Sequence, residues 1–219
     1  MARPAGRDHD PTGNLAKESG GLADMEITRD NAWSLLTEYV KGEPLLRHCL
    51  GVEACMREYA RYFGADENLW GFVGLIHDFD FEIHPTLDHH PQDGAPILRE
   101  RGVPEHIIQS VLSHADHLDV PRATNLEKTL AAVDEMSGFV TAVALVRPTK
   151  SIDEVTLRSV RKKMKDKAFA RAVDRETLVA TADVLAIDFD DHIQHVIDGI
   201  ATIAPQLGLT RSEPAEVSD

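Results

Sequence analysis

Residues 66–80, DENLWGFVGLIHDFD, join an apolar helical stretch to an irregular segment rich in histidine and aspartate. Asp66 is of the residue type that caps a helix N-terminus, and the apolar residues after it recur at helical spacing. The pair His77–Asp78 closes this stretch, and the periodicity then fails as far as Pro91. Irregular segments held by a rigid scaffold often carry function, so this one is the first functional candidate.

Apolar residues on both sides of this stretch also recur at helical spacing, and no segment shows the period-two alternation typical of strands. Glycine and proline interrupt the pattern at Gly42, Gly64, Gly102 and Pro148. The sequence therefore predicts an all-α fold. Helices are expected at about 29–41, 45–63, 67–77, 94–100, 105–113, 126–146, 155–164, 175–186 and 190–203.

A chain of 219 residues is long enough for one compact domain with a sizeable core. The helical periodicity begins at residue 25, and we expect residues 25–208 to form that domain. Residues 1–24 and 209–219 are polar and lack periodicity. They are expected to be a flexible N-terminal extension and a flexible C-terminal tail.

Charge and composition exclude several classes of protein. Acidic residues outnumber basic ones by 37 to 23, a net charge of −14, so nucleic-acid backbones and anionic lipid would repel the chain as a whole. No apolar run reaches the roughly 20 residues of a membrane helix, and residues 1–24 lack the apolar core of a signal peptide. Cys49 and Cys55 are too far apart along one helix for a disulfide. We therefore expect a cytoplasmic protein with no membrane partner and no stable nucleic-acid partner.

Histidine is concentrated in one part of the chain. Imidazole is the commonest metal ligand in proteins, and imidazoles mixed with carboxylates hold divalent transition metals well. This density therefore favours a metal site over chance clustering on the surface. Seven of the eleven histidines fall in this region: His77, His84, His89, His90, His106, His114 and His117.

Four of the predicted helices carry a polar residue that the apolar pattern turns inward. His48 lies beside the buried face of the second helix, and His77–Asp78 ends the third. His114 ends an apolar helix, and Asp134 lies within an apolar run. Because a buried aspartate is costly without a partner, we expect these side chains to converge on a shared ion.

These residues, in this order, resemble the HD-domain metal-dependent phosphohydrolases, in the small bacterial single-domain group related to HDIG proteins. The resemblance rests on His48, the pair His77–Asp78, His90 four residues before Gly94, His114, and the distal Asp134. It covers about residues 25–208 and implies a helical bundle with a metal site buried among the helices.

The resemblance also implies a ligand set and a metal count. One metal would lie in a core of four ligands, which are His48, His77, Asp78 and Asp134. A second metal would be held by His90 and His114, with Asp78 as the bridge between the two metals. Two divalent transition metals per chain are expected, with iron, manganese, nickel or zinc as options. His89 remains an alternative to His90, and His117 remains an alternative to His114. The implied ligands are His48, His77, Asp78, His90, His114 and Asp134.

The activity implied is hydrolysis of a phosphoester, such as a nucleotide or small phosphomonoester, by a metal-activated hydroxide. Asp78 is a catalytic candidate through the metals, and Asp80 is a candidate for orienting the hydroxide. Phe79–Asp80 replace the Ile–Gly of many relatives, which leaves the role of Asp80 open. Two alternatives share the ligand pattern: a mixed-valent di-iron oxygenase, and a module that only senses a ligand.

A phosphorylated substrate also needs cations. Arg147 and Lys150 flank a proline turn, and Lys163 lies in the basic run that follows. We expect these three to contact the substrate phosphate, although most of that run has the pattern of a solvated helix face. The apolar helices could also support a homodimer.

Four further histidines are expected to lie on the surface or behind the metal ligands. They are His84, His106, His192 and His195.

Overall fold

The structure is a computed structural model and describes residues 24–211. Within this range it contains ten α-helices, two short 3-10 helices and no strand, which confirms the predicted all-α fold. The 3-10 helices are Asp116–Leu118 and Ile152–Glu154. The α-helices are α1 Arg29–Tyr39, α2 Glu43–Phe63, α3 Glu67–Ile76, α4 Gly94–Glu100, α5 Glu105–Ser113, α6 Asn125–Leu145, α7 Leu157–Met164, α8 Arg175–Leu185, α9 Phe189–Ala201 and α10 Ala204–Leu207.

Most of the predicted extension and tail lies outside the described residues, so their flexibility stays a prediction. Leu209, the first residue of the predicted tail, is buried, and its carbonyl accepts a hydrogen bond from Ile152 N at 2.9 Å. No helix in residues 24–211 is long and apolar enough to cross a membrane.

The helix ends follow local chemistry. The side chains of Thr28 and Asp66 accept hydrogen bonds from backbone N–H groups in the first turns of α1 and α3. Thr124 and Glu127 form a reciprocal capping box at the start of α6. Gly64 ends α2 with a φ of +64°, a left-handed conformation that costs glycine little. These signals are visible in the sequence, which is why the predicted helix limits lie close to the observed ones.

Helix α2 lies at the centre of the bundle and packs against α3, α6 and α9. Two glycines allow the closest of these approaches. A Cβ on Gly74 of α3 would lie 3.1 Å from Glu53 Cα, and a Cβ on Gly199 of α9 would lie 2.9 Å from Cys55 Cα. The backbones therefore approach more closely than a larger residue would permit. This packing brings the inner faces of α2, α3 and α6 together where the predicted ligands lie.

Candidate metal centre

Three side chains from α2, α6 and the end of α3 form a first cluster. His48 Nε2 lies 3.2 Å from His77 Nε2 and 3.0 Å from Asp134 Oδ1, and His77 Nε2 lies 3.4 Å from the same oxygen. His77 is buried, and the other two are half-buried. The three ligand atoms lie close enough together to coordinate one ion.

A second cluster adjoins the first. His90 Nε2 lies 3.1 Å from Asp78 Oδ1, His114 Nε2 lies 3.4 Å from that oxygen, and the two histidine nitrogens are 3.3 Å apart. His90 comes from the irregular segment after α3, and His114 is the C-terminal cap of α5. These atoms also lie close enough together to coordinate one ion.

Asp78 joins the two clusters through its carboxylate. Its Oδ1 faces His90 and His114, whereas its Oδ2 lies 3.6 Å from His48 Nε2 and 3.5 Å from His77 Nε2. One oxygen therefore points to each cluster, which is the arrangement that a carboxylate bridge between two ions requires.

The donor set fits divalent metals. The Nδ1 atoms of His77 and His114 lie 2.8 and 2.6 Å from carbonyl oxygens in their own helices, and His90 Nδ1 lies 2.8 Å from Asp80 Oδ1. Because a carbonyl oxygen only accepts, the Nδ1 atoms of His77 and His114 carry protons, and the Nε2 atoms are the ones that point at the centre. Lone pairs that face each other at 3.3 Å need a cation between them. Imidazoles with carboxylates suit iron, manganese, nickel and zinc.

The electrostatics of the metal-free cluster show how strongly it holds positive charge. Burial opposes the charge on each group, but neighbouring imidazoles, His77 foremost, lower the pKa of Asp78 well below its usual range, and they lower that of Asp134. The carboxylates in turn raise the pKa of His90 to about 9 against its burial, and they raise the pKa values of His77 and His114. Protons therefore occupy the cluster when metal is absent, and metal binding must release them.

Asp80 lies behind the ligands. It is fully buried, and its two oxygens lie 2.8 Å from His90 Nδ1 and 3.2 Å from His84 Nδ1. A Cβ on Gly94 would lie 2.6 Å from Asp80 Oδ2, so the glycine makes room for this carboxylate. This differs from the expectation that Asp80 orients the attacking hydroxide: it orients His90 instead, from the side away from the open cavity.

Two cavities border the metal centre. The first, the metal cavity, has a volume of about 410 Å³ and is lined by Asp78, His90, His114 and Asp134 among others. The second, the glycine pocket, has a volume of about 370 Å³ and is lined by apolar atoms together with His48, Gly51 and Gly138. The centre is therefore accessible to a small molecule.

Arg122 is a cavity residue that the sequence interpretation missed. It lines the metal cavity, its Nε donates to Ser113 O at 2.7 Å, and its Nη2 donates to His114 O at 2.9 Å. Among the described residues its Nη1 has no hydrogen-bond partner. The only sequence signal was a basic residue eight positions after His114, in a segment without helical periodicity.

The structure does not bring the three predicted substrate cations to the metal centre. Arg147 and Lys163 line a different cavity, and Lys150 lines neither that cavity nor the metal cavity. Arg147 stands 13 residues after Asp134 and just past the end of α6, about 20 Å away at 1.5 Å per helical residue. Sequence periodicity carries no information on the distance of these cations from the ligands.

Among the remaining histidines, the structure separates the alternatives. His89 is exposed and its Nδ1 lies 2.6 Å from Asp93 Oδ2, outside both clusters, whereas His117 lines the metal cavity without joining a cluster. His192 corrects the expectation of a residue on the surface or behind the ligands. It is fully buried in the core, with Nδ1 2.6 Å from the Tyr59 hydroxyl.

The comparison with known proteins agrees with this geometry. The family model described as HD domain matches residues 45–138, a range that includes all six predicted ligands. No solved structure matched the chain. The match, the all-α bundle and the paired histidine–aspartate clusters agree: residues 45–138 are similar to the HD-domain family.

Proposed function

We propose that this protein is a phosphohydrolase that holds two divalent transition metals and hydrolyses a small phosphoester. The observation that carries the proposal is the carboxylate of Asp78, with one oxygen toward each cluster. Two adjacent divalent ions supply Lewis acidity and lower the pKa of a shared water molecule, which suits phosphoryl transfer. The HD-domain family consists mostly of metal-dependent phosphohydrolases, which supports the same reading.

Each residue of the centre then has a distinct task. His48, His77 and Asp134 would hold one ion, His90 and His114 would hold the other, and Asp78 would contribute to both sites. Asp80 fixes the ring of His90 through the 2.8 Å hydrogen bond.

The substrate phosphate would lie in the metal cavity. Arg122 lines that cavity and forms an ion pair with Asp116, and its Nη1, which has no partner within the described residues, would donate to a phosphoryl oxygen. Thr177 and Thr181 of α8 also line this cavity, and they lie outside the range 45–138 that the family model matches. A cavity of about 410 Å³ suits a nucleotide or a small phosphomonoester.

The test combines metal analysis with an activity assay. We expect two metals per chain in the purified protein, and release of phosphate from a generic phosphoester that depends on added manganese, iron or nickel. Asp78→Ala should lose both metal and activity. Asp88→Ala, which removes an exposed carboxylate from the same segment, should lose neither.

Two other results would overturn the proposal. Two irons with a mixed-valent spectroscopic signal and no phosphate release would assign the centre to an oxygenase. A stoichiometric metal centre with neither activity would assign it to a sensing module.

A further inference from the structure

A separate cavity, the cationic cavity, lies where the end of α6 meets α7. Its volume is about 350 Å³, within the range of small-molecule sites. Three of its lining residues are basic and none is acidic. It is lined by Val143, Val146, Arg147, Pro148, Ser159, Lys162 and Lys163.

The surrounding sequence is basic in an acidic protein. Residues 147–175 contain ten basic and four acidic residues, although the whole chain carries a net charge of −14. Two of these cations have partners within the fold: Arg161 forms an ion pair with Asp190, and Arg175 donates hydrogen bonds to backbone carbonyls. The three basic side chains of the cationic cavity differ from these in their partners.

Two of the three lack an internal partner. Within residues 24–211, the side chains of Arg147 and Lys162 make no hydrogen bond or ion pair. Lys163 lies 3.3 Å from an Asp166 oxygen and 4.7 Å from the centre of the Phe169 ring. The cationic cavity therefore keeps most of its positive charge available for an external anion.

The Nε atom of Arg147 is the sharpest sign of a missing ligand. It is buried and has no acceptor among the described residues. Buried N–H donors in folded proteins are nearly always satisfied, by protein atoms, water or a ligand. Arg147 also lines the cationic cavity, and an anionic oxygen is the strongest acceptor for a guanidinium donor.

We propose that the cationic cavity binds the phosphate group of a small molecule, at a site separate from the metal centre. A phosphate offers several oxygens and up to two negative charges, which match a planar guanidinium and two ammonium groups better than a single carboxylate does. The separation from Asp134, about 20 Å along α6, means that one phosphate cannot contact both places. This inference does not depend on the proposed hydrolase activity.

The test is a titration of the ¹⁵N-labelled full chain with inorganic phosphate, followed by NMR at constant ionic strength with chloride as the balancing anion. We expect phosphate to shift the Arg147 Nε–H signal and backbone signals of residues 159–163 in a saturable way. Arg147→Gln should weaken phosphate binding at these signals about tenfold, the loss of one charge-assisted contact.

Matched variants separate this site from the alternatives. Arg158→Gln makes the same charge change at an exposed position of α7 outside the cavity and should leave binding within twofold of the original. Asp78→Ala disrupts the metal centre and should leave the shifts near Arg147 unchanged. Thermal unfolding of each variant establishes that it is folded.

Three outcomes would overturn the proposal. The signals would shift as much with chloride as with phosphate, or Arg147→Gln and Arg158→Gln would weaken binding equally, which indicates diffuse surface charge. Loss of the Arg147 shifts in Asp78→Ala would show that they report phosphate bound at the metal centre.

Discussion

Asp80 Oδ1 lies 2.8 Å from Nδ1 of His90, and both side chains are buried. The carboxylate accepts a hydrogen bond from Nδ1–H, so Nε2 of His90 is turned toward Asp78 and His114. The ligand is thus oriented by a residue that itself touches neither cavity.

Removing this support should weaken metal binding. Asp80→Ala frees the His90 ring to rotate, and outer partners of metal-bound histidines are worth about 10- to 100-fold in affinity. Asp80→Asn keeps an acceptor oxygen and should recover part of the loss. A metal-competition titration measures both variants. Asp93→Ala breaks the exposed His89–Asp93 pair of the same segment and serves as the control. Equal affinity in Asp80→Ala and Asp93→Ala would contradict the positioning role.

Two glycine substitutions should have different effects: one should lower the affinity for metal, and the other should raise the free energy of unfolding. A Cβ at position 94 would lie 2.6 Å from Asp80 Oδ2, so Gly94→Ala should displace that carboxylate and lower metal affinity. A Cβ at position 138 meets nothing within 4 Å, and Gly138 lies inside α6. Gly138→Ala should therefore raise the free energy of unfolding by about 0.5–1 kcal/mol. Urea unfolding and metal titration measure the two effects, and stabilisation by both substitutions would refute the close contact at position 94.

Arg122 should matter for the substrate more than for the metals. Arg122→Gln removes a charged donor from the metal cavity, and loss of such a contact costs about 10²–10³-fold in kcat. Arg171→Gln changes an exposed arginine that lines none of the cavities described above and should have no effect. Metal content measured beside the kinetics separates the possibilities. Lost metal in Arg122→Gln would show that its bonds to the Ser113 and His114 carbonyls are its main contribution.

Stability should fall in mild acid because of His192. Its Nε2 lies 3.1 Å from the Ala132 carbonyl and must donate, so Nδ1 accepts from the Tyr59 hydroxyl and the ring is neutral. Burial, with the nearby His195 adding to it, lowers the pKa of His192 from 6.5 to about 4. Between these pH values the unfolded chain binds a proton that the folded chain does not, so stability is full above pH 6.5 and is lost as pH falls toward 4.

The expected loss is about 3 kcal/mol, because each pH unit of difference is worth 1.36 kcal/mol. Urea unfolding of metal-free protein at several pH values measures it. His192→Gln keeps a donor and an acceptor at this position and should flatten the curve between pH 6.5 and 4. An unchanged slope in His192→Gln would assign the acid sensitivity to other groups.

Local chemistry explains how much of this structure was readable from the sequence. The caps Thr28 and Asp66 and the stop at Gly64 act on backbone groups a few residues away, so the helix limits could be predicted. Five of the six ligands could be proposed because they lie on or directly follow apolar helix faces, whereas His90, in the irregular segment, was proposed only from the family resemblance; the structure brings all six together.

The sequence did not predict which basic residues lie near the metal centre, because that depends on distances across the fold. Arg122 reaches the metal cavity only through the path of the loop after α5, and Arg147 is distant because α6 continues without a break to Leu145. His192 did carry a signal that went unused. It follows Phe189 by three residues and precedes Val196 by four, and both are buried, so it lies on the apolar face of α9.

The six ligands come from α2, the end of α3, the irregular segment, the end of α5, and α6. Bound ions would therefore act as crosslinks between five parts of the chain, closing loops that otherwise depend on packing alone. The stability of the fold would then depend on the concentration of free metal. At a free metal concentration of one hundred times Kd, the folded state gains about 2.7 kcal/mol per site. A low concentration of free metal would therefore leave the centre without its ions and would also shorten the lifetime of the folded protein.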